Sequence, residues 1–125
     1  MNPFADASTT IAAIHRREIS SAAVVELYAK RRERLHAQVN AIVTPDHERA
    51  LEAARWIDSQ QGPASGVLAG LPITVKDGIH VAGLPSTGGM IEPALAIADE
   101  DAPSVRRLRA TGAVILGKTN VPVAN

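Results

Sequence analysis

Two short apolar runs, Ile73-Thr74-Val75 and Ala113-Val114-Ile115-Leu116, do most to limit what this chain can fold into. Both are shorter than an ordinary helix and carry β-branched residues, and Gly112 and Gly117 bracket the second. Runs of this kind read as strands buried on both faces. Between them, Asp101 can cap a helix running to about Thr111, with Pro103 tolerated in its first turn and Gly112 as its stop. Strand, helical crossover and strand make a βαβ-like unit, for which parallel pairing is the natural outcome. Ligands gather beyond the carboxyl ends of strands in such sheets. Lys76-Asp77 and Lys118-Thr119-Asn120 both fall at those ends, which argues for one shared site.

Residues 1–61 read as helical wrapping and 62–125 as the start of a core sheet, within a single α/β domain. A short amphipathic helix is expected over Thr9 to Arg17. Ser20 or Ser21 then caps a longer one to about Ala37, with Val24, Leu27, Tyr28 and Leu35 at helical spacing. The basic run Lys30 to Arg34 reads as a solvated helix face. A third helix is expected with Thr44 as cap and Pro45 at its first position, where the missing N–H costs nothing. Its inner face would be Ala50, Leu51, Ala54 and Ile57, and Gly62-Pro63 would end it.

Composition narrows the function classes. Formal net charge is zero over 125 residues, so no nucleic-acid or acidic-membrane footprint is expected. Aromatics are only 2%, which leaves an aliphatic, alanine-rich core and no base-stacking platform. The chain has no cysteine, so disulfides and thiol chemistry are excluded. No zinc-type ligand spacing stands out. The first residues lack a basic, apolar leader and no run reaches the roughly 18 residues of a membrane span, so a cytoplasmic setting is expected.

Three constellations carry possible chemistry. Gly112 to Thr119 fits the phosphate-loop pattern letter for letter, but its middle is strand-like and Asn120-Val121-Pro122 disfavours the helix such a loop must enter. His80, Ser86 and Asp77 form a serine–histidine–acid set within one loop region, without a nucleophile elbow around Ser86. Lys76 is the third: a general base at a strand end, or half of a surface pair with Asp77. Free lysine titrates near ~10.4, whereas a useful base needs about 7 to 8, so the basic role demands enclosure.

The segment Gly66-Val67-Leu68-Ala69-Gly70-Leu71-Pro72-Ile73-Thr74-Val75-Lys76-Asp77 resembles the opening block of the amidase signature family. Two later blocks are also similar to it, Val81 to Gly89 and Asp101 to Asn120, in the right order and spacing. The resemblance covers nearly the whole chain. It implies helices wrapping a mixed sheet that is incomplete in this chain, and hydrolysis of a small-molecule carboxamide without metal or organic cofactor. In that family a nucleophilic serine passes its proton through a second serine, in a cis peptide, to a lysine. Lys76 matches that lysine by position and Asp77 would support it. Asn120, Val121, Pro122 and Val123 would sit beside the substrate pocket.

The chain also departs from the family pattern. Both catalytic serines belong to a later glycine- and serine-rich block, and none of Ser8, Ser20, Ser21, Ser59, Ser65, Ser86 and Ser104 matches either one. The resemblance is therefore to the N-terminal portion of an amidase, cut before its nucleophile, inactive alone and poorly soluble. Val123 stands where many members carry glutamate, and Ser86 and Met90 replace a common threonine and serine. These differences favour a general amidase over the amidotransferase A-subunit branch, with a non-catalytic remnant or a nucleotide-binding module through residues 112–119 as further alternatives.

Overall fold

The computed structural model describes residues 2, 4–60, 66–90 and 97–123. The expected helix stop at Gly62-Pro63 lies outside them.

Helix α1, Ala7–His15, starts before Thr9 because the Asp6 carboxylate accepts the Thr9 N–H at 2.7 Å and caps it. Helix α2, Ser21–Val39, is capped by Ser20 as the sequence predicts, and Asn40 ends it in the left-handed conformation. Next comes a departure. Residues 42–45 are not the start of a helix but strand β1, Ile42–Pro45. Thr44 and Pro45 therefore do not cap α3, His47–Ser59; Asp46 stands at its N-cap without a side-chain capping bond and instead accepts from Arg49 Nε at 2.9 Å. A strand partner for the backbone outweighs a local capping signal here.

Strand β2 is Pro72–Lys76, helix α4 is Pro103–Ala110 and strand β3 is Val114–Thr119. Asp101 does not cap α4. Its carboxylate accepts from Ala82 N–H and from Arg109 Nε, each at 2.8 Å, while Ala102 takes the N-cap and Pro103 opens the helix. The three strands form one mixed sheet in the order β1-β3-β2, with β3 antiparallel to β1 and parallel to β2. The predicted βαβ pairing is thus present, and the helices-plus-mixed-sheet class holds.

Strand β3 runs past Leu116, and the way it does so decides where its side chains go. Pro72 and Ile73 pair with Val114 and Ile115, but Thr74 then pairs with Gly117, Val75 with Lys118 and Lys76 with Thr119. The skipped residue, Leu116, is a bulge. Because side chains alternate along a strand, one extra residue moves everything after it to the other face. Gly117 follows at φ 141, a backbone setting that side chains rarely adopt.

Each face of the sheet has its own core. On one, Val114 packs with Val25 of α2 and with Ala50 and Ala54 of α3, joined by Leu51, Ile57 and Leu116. On the other, Ile115 packs with Val75, Val81, Leu84 and Val105, the last from α4. Both cores are aliphatic, as the composition predicts.

Candidate active site

Strand β2 delivers Val75, Lys76 and Asp77 at its carboxyl end. Alternation buries Val75 and Asp77 and leaves Lys76 exposed on the opposite side. The backbone there is held firmly. Lys76 pairs with Thr119, the Asp77 N–H donates to Thr119 O at 3.1 Å, and the Ile79 N–H donates to Lys76 O at 2.9 Å.

Asp77 is 2% exposed. Its Oδ2 accepts the Thr87 N–H at 3.0 Å and the Thr87 hydroxyl at 2.7 Å. Its Oδ1 makes no hydrogen bond and lies 4.0 Å from Lys118 Nζ. Lys118 is fully buried; its Nζ donates to Pro85 O at 2.7 Å and to Ser86 Oγ at 2.6 Å. Burial raises the Asp77 pKa, but the Thr87 hydroxyl and N–H, the Lys118 charge and the Gly89 N–H outweigh it and hold the carboxyl below its ordinary value. Burial also lowers the Lys118 pKa, against the opposing pull of Asp77.

The bulge at Leu116 makes this cluster. With unbroken alternation Lys118 would share a face with Val114 and Leu116, under the helices. One extra residue sets it opposite Val75, on the same face as Asp77. The sequence pattern places Lys118 at a strand end; instead it lies within β3 and is fully buried. The available signal was a second lone lysine whose strand end matches that of Asp77.

The other sequence constellations resolve as follows. Residues 114–119 are strand and Lys118 is turned inward to Pro85 and Ser86, so Gly112 to Thr119 is no phosphate cradle and the nucleotide-binding alternative is withdrawn. Ser86 and Asp77 share one cluster through Lys118, whereas His80 is exposed and not part of it. Asn120 follows β3, with its N–H donating to Ala41 O at 2.8 Å and its Oδ1 accepting the Val121 N–H at 2.9 Å. A side chain at Gly89 would come within 2.6 Å of Pro122 O, so the 85–89 loop runs directly against residues 121–122. Val123 is 75% exposed.

Among the described residues, no group of three or more His, Asp or Glu is placed to hold a metal ion, and no helix is long and apolar enough to cross a membrane. A cavity of about 740 Å³ lies between α2 and the sheet, lined by Tyr28, Leu35, Ile42, Ile73 and Leu116 among others. None of the candidate site residues borders it.

Comparison with known proteins places this arrangement. The chain is 37% identical over 115 residues to an indoleacetamide hydrolase of Bradyrhizobium diazoefficiens, an alignment covering 90% of this chain and 22% of that protein. It is 40% identical over 110 residues to a glutamyl-tRNA(Gln) amidotransferase A-subunit from Salinispora arenicola, covering 86% of this chain and 22% of that one. The chain thus spans about a fifth of the length of the curated relatives it matches. A bacterial aryl acylamidase of the amidase signature family superposes with a TM-score of 0.89 at 28% identity, over 97% of this chain and 26% of that one. The amidase family model matches residues 23–125, and the chain belongs to the amidase family.

Proposed function

We propose that this chain is the lysine-bearing portion of a carboxamide hydrolase, with Lys76 as the general base of a serine–cis-serine–lysine relay. The observation that supports this most is the setting of Lys76. It stands at the carboxyl end of a core strand, its backbone pinned on both sides, with its side chain directed away from the buried pair. In the relay, the nucleophilic hydroxyl attacks the amide carbonyl while its proton passes through the second serine to neutral Lys76. The resulting ammonium then returns a proton to the leaving amine, and water releases the acyl group as carboxylate. Asn120, Val121, Pro122 and Val123 border the substrate, next to the 85–89 loop. No metal or organic cofactor takes part.

The 125 residues alone are inactive on this reading. None of their serines occupies a family nucleophile position, so the relay has no attacking hydroxyl. Val123, Ser86 and Met90 support an amidase over the amidotransferase branch, although a relative of each kind matches at similar identity.

A chimera tests the assignment. This chain replaces the matched portion of the Bradyrhizobium indoleacetamide hydrolase, and hydrolysis of indoleacetamide is followed. A soluble chimera should be active, and Lys76→Ala should lower kcat by at least about a thousandfold, the scale of losing an essential catalytic group. An active chimera indifferent to Lys76→Ala would overturn the role of Lys76.

A further inference from the structure

Lys118 is not one of the groups the amidase reading uses, yet it is the most deeply buried charge among the described residues. A buried ammonium needs a compensating arrangement, and this one gathers its partners from separate parts of the chain. Pro85 O and Ser86 Oγ come from the loop after β2, and the carboxylate of Asp77 comes from the end of β2 itself. The same loop closes a second link, since Thr87 donates twice to Asp77 and its hydroxyl accepts the Gly89 N–H at 3.1 Å. Gly89 in turn lies against Pro122, beyond the end of β3. The segments 76–78, 85–89 and 119–122 are therefore tied together around one cation, and the first and last of them meet where Lys76 pairs with Thr119.

We propose that Lys118 is a positioning residue for Lys76, holding the Asp77 carboxylate inward so that it does not turn out and pair with the neighbouring Lys76 ammonium. The proposal rests on the reading of Lys76 as the base. Asp77 is next to Lys76 in sequence, and the two carboxylate and ammonium groups leave the chain on opposite sides. Thr87 supplies the neutral part of the grip on Asp77, and Lys118 supplies the charge. Without Lys118 the carboxylate would be buried and uncompensated, and rotation toward water relieves it. Water lies on the side where Lys76 stands.

Site-resolved amine labelling of the 125-residue chain tests this directly. Its lysines are Lys30, Lys76 and Lys118, so exposed Lys30 on α2 serves as an internal reference. The chain is exposed briefly to an activated ester and the acylation of Lys76 relative to Lys30 is read by peptide mass spectrometry. Lys118→Met should lower the Lys76:Lys30 ratio at least about threefold, while Lys118→Arg, which keeps the charge, should stay within about twofold of the native chain. The double variant Asp77→Asn/Lys118→Met, which removes both charges, should restore the ratio. Should Lys118→Met fail to fold by circular dichroism, Thr87→Val removes only a hydroxyl donor and should shift the ratio in the same direction. An unchanged ratio in folded Lys118→Met, or in folded Thr87→Val where the first does not fold, overturns the proposal and leaves Lys118 a structural residue. Labelling needs no serine partner, so this outcome is separable from failure of the indoleacetamide chimera, which bears on the amidase reading alone.

Discussion

The two faces of the sheet are held by different means. Under α2 and α3 the contact is mainly apolar: Val114 meets Val25, Ala50 and Ala54, and the few polar ties are at the start of α2, where Ser21 and Ala22 N–H donate to Asp58 and the Ser21 hydroxyl donates to Gly70 O. The opposite face begins in the same way, with Ile115 against Val75, Val81, Leu84 and Val105. At the carboxyl ends of β2 and β3, however, it gives way to Asp77, Lys118, Ser86 and Thr87. The helix face thus relies chiefly on burial, with neutral backbone and hydroxyl bonds and one carboxylate at the start of α2. The loop face adds a charge arrangement that fixes one geometry and is costly when half of it is removed.

That contrast is most easily broken at Lys118. Lys118→Met should destabilise the chain by about 3–5 kcal/mol, because the Asp77 carboxylate must either stay buried without its cation or give up its two Thr87 hydrogen bonds to reach water. Urea denaturation is the measurement, and a loss similar to that of an ordinary core substitution would mean that the pair carries no special weight. Removing both charges in Asp77→Asn/Lys118→Met should cost less than Lys118→Met alone, the sign expected of a coupled pair.

Acid sharpens the same contrast. The folded-state pKa of Asp77 is lowered, so the unfolded chain binds its proton first as pH falls. The stability contributed by the ionised carboxylate is fully present above the unfolded value near ~3.9 and declines as pH drops through that value toward the lower folded one. Asp77→Asn should therefore flatten the decline between about pH 5 and 2 in urea midpoints, measured against the native chain. Parallel declines in the two proteins would show that other carboxylates govern the acid response.

On the helix face the expected effects are smaller and of a different origin. Ala54 is fully buried and Ala50 is 2% exposed, so there is no room between α3 and the sheet for a longer side chain. Ala54→Leu should cost about 1–3 kcal/mol through overpacking. A neutral or stabilising result would reveal slack under α3 that the close packing of these alanines does not suggest.

Much of this difference was legible in the sequence, and the part that was not has one main cause. The strands 73–75 and 113–116, the α4 crossover and the alanine face of α3 all follow from local pattern, since each is set by spacing within a few residues. The expected convergence of the ends of β2 and β3 is seen in Asp77 and Lys118, whose charged atoms lie 4.0 Å apart. The partnership within it was missed because it depends on the bulge at Leu116. A one-residue change in register is set by pairing with β2, and no local propensity announces it. Strand β1 was missed for a related reason. Thr44-Pro45-Asp46 reads locally as a helix entry, and only the exposed antiparallel edge of β3 makes Ile42 to Pro45 a strand. Lys76, by contrast, was placed by family resemblance, and its exposure beside a buried Asp77 is what the structure adds.

The smallest expected effect lies where α2 begins, and it separates capping from burial. Ser20 and Ser21 are adjacent hydroxyls with different duties. Ser20 Oγ accepts the Ala23 N–H at 3.1 Å at an exposed helix end, where water can replace it. Ser21 is fully buried, and its hydroxyl donates to Gly70 O at 2.8 Å, joining α2 to the turn that leads into β2. Ser20→Ala should cost about 1 kcal/mol, the usual loss of an N-cap. Ser21→Ala should cost somewhat more, about 1–3 kcal/mol, because it leaves a buried carbonyl without its donor. Thermal midpoints of the two variants give the order directly. If Ser20→Ala proved the more damaging, the hold of α2 on the sheet would rest on helix initiation rather than on the buried bond to Gly70.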